Sequence, residues 1–436
     1  MKKGRIILSI VLIALIGFGW ISQLTSSINQ TKAYNSAVTE ADTCRDKKLY
    51  QKAINLYEEA LKIKENEGTR NKWFETYGLA LEAEEIERDQ YINAMKQVVE
   101  IYPKRTDLWE ALISESLNKM DFHGAKDYYE DAIEAGADKS VISKYKNTIY
   151  YSVSENNRIF STVLMSSQGY FTVFDGTKWG IIDPAGKWVY ECTYDYAGPV
   201  VNNDMYFLTT LKDSRVYNNS KVAQAILSDK DVTTKVIKEG ILPMCKDGVW
   251  TFYDYANEKT ILDKYDDVSC FINGKAVVKK GETWSIIDKS GKTVSDKKFD
   301  DIKLLGSGEY ASNGIMIASV GGKYGIYDES GKSKSDFTAA DMDICMGGGI
   351  AYKDSKGKWG FVNSDGKIAI EPKYDEAKSF SNGLAAVRSG DKWGFINESG
   401  ELVIDYKYSD GGYFTNNGVC FVGLSDEQMY MITLRF

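Results

Sequence analysis

The chain has little proline, a single histidine and no surplus of positive charge. Only 5 of its 436 residues are proline and hydrophobic residues make up 43%, a composition typical of a folded globular protein. The net charge of −8 argues against nucleic-acid binding, which needs a basic face against the phosphates. His123 is the only histidine. A zinc site with several histidine ligands is therefore excluded, and a nucleophile–histidine–acid set would have to use His123.

Cysteine is sparse and unclustered, and the common catalytic motifs are absent. Without CxxC spacing we expect the six cysteines to be free thiols packed as small hydrophobic residues: Cys44, Cys192, Cys245, Cys270, Cys345 and Cys420. No GxxxxGKS loop occurs, and no GxGxxG follows a strand in a βαβ pattern. The run Gly347–Gly349 is more typical of a turn or bulge than of a phosphate cradle. We therefore expect no enzymatic activity, no cofactor and no bound metal.

One long apolar run lies near the start of the chain, at residues 6–21. It follows Lys2, Lys3 and Arg5, and the uncharged residues after it extend it towards the length of a membrane span. We expect residues 1–25 to be an uncleaved transmembrane anchor, with the basic end in the cytoplasm and the remaining chain outside it. The alternative is a cleaved signal peptide, whose apolar core has a similar length.

Residues 26–150 have the periodicity of amphipathic helices. Apolar stripes at i, i+3, i+4, i+7 and i+8 comprise Ala53, Leu56, Tyr57, Ala60 and Leu61, and then Ala125, Tyr128, Tyr129, Ala132 and Ile133. Tyr57, Met95 and Tyr129 are separated by 38 and 34 residues. That period resembles the tetratricopeptide repeat and implies three helix pairs with a concave, peptide-binding surface. The alternative is a scaffold that only spaces the following domain from the membrane.

Residues 151–436 contain a repeat of about 35 residues. Its aromatic column comprises Trp179, Trp250, Trp284, Tyr324, Trp359 and Trp393, and a degenerate copy fits at Ser214, where an insertion is the alternative. Four residues later comes Asp or Asn, as at Asp183 and Asp288. Seven residues after the aromatic, glycine recurs at Gly186, Gly291, Gly331, Gly366 and Gly400. Fifteen residues after it, an aromatic recurs at Tyr194, Tyr265, Phe299, Tyr374 and Tyr408.

These columns predict short antiparallel strands. Asp-x-x-Gly after an alternating strand indicates a hairpin turn in which the carboxylate caps the backbone and glycine takes the left-handed conformation. The glycine beside the tryptophan, at Gly180, Gly360 and Gly394, allows close approach of a neighbouring backbone. We expect the tryptophans to pack adjacent units together, and an exposed sugar-binding platform is the alternative.

The Trp-Gly pairs, followed by Tyr-Asp pairs such as Tyr194-Asp195, resemble the WG-repeat family of bacterial proteins. The resemblance implies a β-repeat architecture and no particular enzymatic activity. The departures from the pair are Trp250-Thr251, Trp284-Ser285 and Tyr324-Gly325.

The sequence thus predicts an α+β multidomain protein: a membrane anchor over 1–25, tetratricopeptide-like hairpins over 26–150, and an all-β domain of seven to eight units over 151–436. We favour a closed propeller, with an open β-solenoid as the alternative, because the two ends of the β domain look like parts of one unit. Segments 303–314 and 204–240 break the repeat pattern and are our candidates for binding residues. The predicted function is protein or envelope binding outside the membrane. The alternatives are a carbohydrate-binding or carbohydrate-active wall protein and a structural spacer.

Overall fold

The computed structural model describes residues 26–201, 205–218, 220–227, 231–262, 264–425 and 427–435. They form two compact units, one ending at Tyr150 and the other comprising Tyr151–Arg435. Within these ranges no helix is both long and apolar enough to cross a membrane. The anchor expected over residues 1–25 lies outside the described residues.

The first unit is entirely helical. Its elements are α1 (26–46), α2 (Tyr50–Ile63), α3 (Glu67–Glu82), α4 (Arg88–Ile101), α5 (Thr106–Asn118), α6 (Phe122–Glu134), α7 (Lys139–Ile142), a 3-10 turn (Ser143–Tyr145) and α8 (Lys146–Tyr151). Consecutive helices pack around one apolar core. Three of them bury a small residue and a larger one four positions later, namely Ala53 and Tyr57, Ala94 and Val98, and Ala125 and Tyr129. This arrangement is that of repeated helix pairs.

The first helix of each pair ends in the same turn. Lys48, Glu84 and Met120, spaced 36 residues apart, each adopt a positive φ near 60°. The residue after each donates its N–H to a carbonyl five positions back, as Leu49 does to Cys44 at 2.9 Å, which is a Schellman motif. The repeat period at these helix ends is thus 36 residues, whereas Tyr57, Met95 and Tyr129 are separated by 38 and 34 residues. In the middle pair ten residues separate Glu84 from Ala94, against five between Lys48 and Ala53, so Met95 is not the counterpart of Tyr57.

The described residues of the second unit form eight antiparallel sheets, numbered here as blades 1–8. Blade 1 contains β2 (Thr162–Met165), β3 (Phe171–Phe174), β4 (Trp179–Ile182) and β5 (Trp188–Tyr194), and blade 2 contains β6 (Tyr196–Ala197), β7 (Met205–Thr209), β8 (Ser214–Asn218) and β9 (Ala223–Leu227). Blade 3 contains β10 (Thr233–Thr234), β11 (Ile241–Lys246), β12 (Val249–Asp254) and β13 (Lys259–Thr260), and blade 4 contains β14 (Asp267–Val268), β15 (Lys275–Lys280) and β16 (Thr283–Asp288).

Blades 5–8 continue the same order. Blade 5 contains β17 (Asp301–Ile302), β18 (Ala311–Ser312), β19 (Ile315–Val320), β20 (Lys323–Tyr327) and β21 (Ser333–Ala339), and blade 6 contains β22 (Asp341–Met342), β23 (Ile350–Lys353), β24 (Trp359–Val362) and β25 (Ile368–Tyr374). Blade 7 contains β26 (Glu376–Ala377), β27 (Leu384–Ser389), β28 (Lys392–Asn397) and β29 (Leu402–Tyr408), and blade 8 contains β30 (Val419–Ser425), β31 (Gln428–Leu434) and β1 (Val153–Phe160).

Blade 8 closes the ring, because it combines strands from both ends of the unit. β1 pairs with β31, and Phe160 lies opposite Met429. The unit is an eight-bladed β-propeller, so the propeller prediction is confirmed and the open solenoid is wrong. The doubtful copy at Ser214 is β8 of blade 2, where Lys221 takes the positive φ that glycine has in the other turns.

The aromatic column lies on the third strand of each blade, opposite the aromatic fifteen residues later. The cross-strand partners are Trp179 and Tyr194, Trp250 and Tyr265, Trp284 and Phe299, Trp359 and Tyr374, and Trp393 and Tyr408. Tyr324 lies opposite Ala339 instead. Trp284, Trp359 and Trp393 are buried, and Trp359 belongs to one apolar cluster with Ala377 and Phe380 of the next blade. These rings therefore hold adjacent blades together.

The glycine after the tryptophan faces a bulge in the fourth strand. Between Trp393 and Phe395 the partner strand advances four residues, from Tyr408 to Ile404. A Cβ atom at Gly394 would lie 2.7 Å from the Ile404 carbonyl oxygen, and Gly180 and Gly360 have equally close contacts. At Gly325 the nearest such contact is 3.4 Å. The Trp-Gly pair thus occurs where this bulge presses on the third strand.

The cysteines lie in packed surroundings. Cys44, Cys270, Cys345 and Cys420 are buried, while Cys192 and Cys245 are half-buried. All six are free thiols. Burial raises the pKa of the Cys192 thiol to about 11, which leaves it protonated at neutral pH.

Candidate functional site

The turns between third and fourth strands, called here the outer turns, are built around their Asp or Asn. The Asp183 carboxylate accepts from the amides of Ala185 and Lys187 at 2.9 and 2.8 Å, and Gly186 has φ +80°. Asp288 and Asn397 cap their turns in the same way. Gly291, Gly331, Gly366 and Gly400 also have positive φ. These side chains are occupied within their own turns.

A second set of turns, called here the inner turns, joins first and second strands. In blades 4, 5 and 7 they are Asn-Gly pairs in which both residues have positive φ, at Asn273-Gly274, Asn313-Gly314 and Asn382-Gly383. This is the type I′ hairpin turn. Glu239-Gly240 has the same conformation in blade 3. The sequence analysis missed this column, although a glycine stands ten residues before the aromatic in six of the eight blades: Gly169, Gly240, Gly274, Gly314, Gly349 and Gly383. In blade 8, Gly418 stands eleven residues before Met429.

Inner and outer turns lie on one face of the propeller, called here the turn face, where the inner turn of one blade meets the outer turn of the next. Asn273 of blade 4 donates from Nδ2 to Glu329 of blade 5 at 2.8 Å. Glu239 of blade 3 pairs with Lys289 of blade 4 at 3.0 Å. Thr415 of blade 8 donates to the carbonyl of Pro184 at 2.8 Å. These bonds seal the face at three blade boundaries.

Between blades 5, 6 and 7 no such bond joins the described inner and outer turns, and a cavity of about 520 Å³ opens there. Its apolar floor comprises Ile315, Phe361, Ile370 and Phe380, of which Phe361 and Phe380 are almost fully buried. Its rim comprises Asn313, Asn363, Ser364, Ala369 and Glu398. The size and mixed lining are those of a ligand pocket.

A second cavity of about 380 Å³ lies at the centre of the turn face. Inner turns of blades 1, 5, 6, 7 and 8 surround it, and it shares Asn313, Gly347, Gly348 and Glu398 with the first. The run Gly347–Gly349 separates the two cavities and passes close to Phe380, since a Cβ atom at Gly348 would lie 2.7 Å from the Phe380 Cβ. Because these residues have no side chains, the two cavities adjoin. We treat them as one candidate site.

The lining has a distinct electrostatic character. Its polar groups are amides, hydroxyls and one carboxylate, and Glu398 is the only charged residue among the described residues that line either cavity. The described residues hold no cluster of His, Cys, Asp or Glu that could bind a metal ion. The site is therefore suited to neutral or cationic groups rather than to anions.

The predicted binding segment 303–314 is mostly buried, which corrects that expectation. Ser307 and Glu309 are fully buried at the centre of the ring. Glu309 accepts from the Ser167 amide at 2.8 Å and from Lys238 Nζ at 2.8 Å, which links blades 1, 3 and 5. The Ser307 carbonyl accepts from the Val236 amide at 2.8 Å. The interval from Trp284 to Tyr324 is 40 residues long, against 34 to 36 between the other members of the column. Its extra residues are thus a structural plug, and of the segment 303–314 only Ser312 and Asn313 line the candidate site.

The other predicted positions lie away from the site. The region 204–240 forms blade 2 and the start of blade 3, where Leu211 and Ile226 expose most of their apolar surface. Residue 204 and residues 219 and 228–230 lie outside the described part of that region. His123 is in the first turn of α6, with an exposed ring 3.9 Å from Asp127.

Five segments match the family described as WG containing repeat: residues 179–208, 250–284, 284–324, 359–393 and 393–425. The matches support the WG-repeat family. The WG-repeat segments cover blades on both sides of the candidate site, including blades 5, 6 and 7. No curated protein matches the chain at a significant level.

Solved structures with limited likeness to the chain include Hsv2p of Kluyveromyces lactis, with 14% identity over 53% of this chain and 95% of that chain and a TM-score of 0.33. The Dos1 propeller has 10% identity over 65% and 94%, with a TM-score of 0.38. A eukaryotic initiation factor has 12% identity over 66% and 87%, with a TM-score of 0.40. At these TM-scores the likenesses carry no argument, and the eight blades are established by their hydrogen-bonded sheets.

Proposed function

We propose that this protein is a non-catalytic binding module that is anchored in a membrane, displays both units outside the cytoplasm and binds a partner protein through the candidate site. The observation that carries the proposal is the open cavity in the turn face between blades 5 and 7. Three other blade boundaries are closed by bonds between turns, whereas the cavity between blades 5, 6 and 7 has an apolar floor beneath a polar rim. Open pockets of that kind are suited to binding.

The burial of the aromatic rings favours a protein partner over a polysaccharide. A sugar platform requires an exposed ring face, but Trp284, Trp359 and Trp393 are buried between blades. Phe361 and Phe380 expose almost nothing at the cavity floor. The lining offers amides and a carboxylate, which pair readily with a polypeptide main chain and its side chains.

Site-specific photocrosslinking in cells tests this proposal. A photoreactive residue at Ala369 or Asn382, both exposed at the site, should capture the same partner. The control position is Asp391, which is exposed at the opposite end of β27 and β28 and should not capture it. A matched pair of variants completes the design. Ala369→Trp fills the cavity and should abolish capture at Asn382. Lys334→Trp is its control and places the same ring at the same repeat position of blade 5. Equal capture at Asp391 would contradict the proposal.

The anchor is tested separately. The apolar run at residues 6–21 after Lys2, Lys3 and Arg5 supports a membrane-spanning segment with the rest of the chain outside. We expect the intact protein to stay in the membrane fraction at alkaline pH and to be degraded by external protease added to spheroplasts. A soluble product whose N-terminus lies beyond residue 21 would instead indicate a cleaved signal peptide.

A further inference from the structure

One acidic side chain dominates the charge of the candidate site. Glu398 is the second residue of the outer turn of blade 7 and lines both cavities where they join. In the described part of the chain, no hydrogen bond or ion pair engages its carboxylate. Glu398 is exposed at the mouth of these cavities, where its carboxylate is an acceptor for a cationic donor.

The same repeat position in blade 5 shows what this carboxylate does when it has a partner. Glu329, like Glu398, stands five residues after the aromatic of its blade. Its Oε2 accepts from Asn273 of the neighbouring inner turn at 2.8 Å. The corresponding neighbour of Glu398 is Gly348 of blade 6, which has no side chain to donate. Because Gly348 has no side-chain amide, space is left beside Glu398, and none of the described residues of blade 6 donates a hydrogen bond to its carboxylate.

The surroundings of Glu398 match a long side chain with an apolar stem. At the floor, Ile315 and Ile370 keep a small exposed fraction and would pack against methylene groups, and the carboxylate stands at the rim above them. Lysine and arginine have this construction, with an aliphatic stem and a charged end. The side-chain amides of Asn313, Asn382 and Asn416 take part in no hydrogen bond among the described residues, and they border the central cavity. They are placed to bond the main chain on either side of such a residue.

We infer that the joined cavities bind a lysine or arginine side chain of an extended segment of the partner protein, with Glu398 as the acceptor for its charged end. This inference rests on the proposed function and adds the chemistry of the ligand. The floor contacts the stem, and the Asn ring contacts the flanking main chain. An anionic segment is excluded by the same charge that favours the basic one.

Matched peptide libraries test the inference on the full-length protein. One library of octapeptides carries lysine at its centre, and the second carries acetyl-lysine, which keeps the stem and removes the charge. We expect the lysine library to bind about tenfold more tightly than the acetyl-lysine library, as expected for a charge-assisted hydrogen bond. Glu398→Gln should remove that difference. Glu329→Gln, the matched control, should retain it.

Each remaining outcome is decisive. Equal binding of both libraries, with loss in Ala369→Trp, overturns the inference and leaves the proposed binding site in place. An equal effect of Glu329→Gln and Glu398→Gln overturns it as well. If neither library binds while photocrosslinking at Ala369 still captures a protein, the partner does not present a basic side chain. If both experiments fail, the proposed function fails with the inference.

Discussion

At the scale of single residues, a close backbone approach recurs beside the repeated tryptophans. Each Trp-Gly pair needs its glycine because the fourth strand of the same blade comes close to it. The bulged fourth strand of blade 7 touches Gly394, whereas the corresponding strand of blade 5 stays clear of Gly325. The two glycines therefore make a matched pair for mutation.

We expect Gly394→Ala to lower the free energy of unfolding of the propeller by about 1–3 kcal/mol, because the new Cβ would be forced against the Ile404 carbonyl oxygen. Gly325→Ala should change it by much less, since its nearest contact is an ordinary one. Denaturant unfolding followed by tryptophan fluorescence measures both. Equal destabilisation by the two variants would mean that the bulge is not the reason for the glycine.

Glu309 is the residue on which the centre of the ring depends. Its carboxylate is fully buried and accepts from Lys238, Ser167 and Ser307. Removal of one member of a buried ion pair leaves the other unpaired, so we expect Glu309→Gln to cost about 3–5 kcal/mol of stability. Adding Lys238→Met should restore part of it, because the unpaired ammonium is then gone. A double variant no more stable than Glu309→Gln alone would contradict this account.

At the scale of elements, Asp42 joins three helices of the first unit. Its carboxylate on α1 accepts from Tyr57 of α2 at 2.5 Å and from Lys72 of α3 at 2.8 Å. Partial burial opposes the charge, but the bonds from Lys72 and Tyr57 outweigh it and lower the pKa of the Asp42 carboxyl. A lowered carboxyl pKa stabilises the fold above the unfolded value of about 3.9, and the stabilisation is lost as the pH falls through the folded pKa.

We therefore expect Asp42→Asn to destabilise the helical unit by about 1–2 kcal/mol at pH 7 and by progressively less below about pH 4. Thermal unfolding monitored by the helical circular dichroism signal measures this across the pH range. Asp46→Asn, on the exposed side of the same helix, should have little effect at any pH. A pH-independent difference between Asp42→Asn and the native chain would show that the charge of Asp42 is not the cause.

The element scale also shows what the sequence could predict. The outer turns could be predicted from the sequence, because Asp-x-x-Gly repeats at a constant distance from a tryptophan. The helix ends at Lys48, Glu84 and Met120 were not, because left-handed caps usually carry glycine or asparagine and none of these residues indicates one. The inner turns had a glycine signal, but the residue before that glycine varies among Asn, Gln, Glu and Gly. No sequence motif marks the candidate site, because its cavity lies where the described inner and outer turns of blades 5, 6 and 7 are not bonded to one another.

At the scale of the whole molecule, the ring depends on one pairing between distant parts of the chain. β1 and β31 share a blade, with Ser154 opposite Thr433 and Phe160 opposite Met429. The sequence predicts this shared terminal unit, because the two ends of the β domain look like parts of one unit. The role of the 40-residue interval was not predictable, because only the closed ring places residues 305–309 at its centre.

We expect the hydrogen-bonded amides of β1 and β31 to exchange with deuterium as slowly as those of β29 and β28, the corresponding strands of blade 7, because a closed ring has no terminal blade to fray. Mass spectrometry of the exchanging protein measures each strand. Phe160→Ser should speed exchange in both terminal strands together. Fast exchange of β1 and β31 in the native chain would indicate an open array.

The inner turns have an evolutionary consequence. In blades 3, 4, 5 and 7 each is a short hairpin tip whose first residue is exposed, at Glu239, Asn273, Asn313 and Asn382, and this residue can change without disturbing the packed strands below. The turn face therefore presents separate variable positions on these blades, at which a single substitution can close one gap or open another. New ligand preferences can arise there one position at a time, at little risk to the ring.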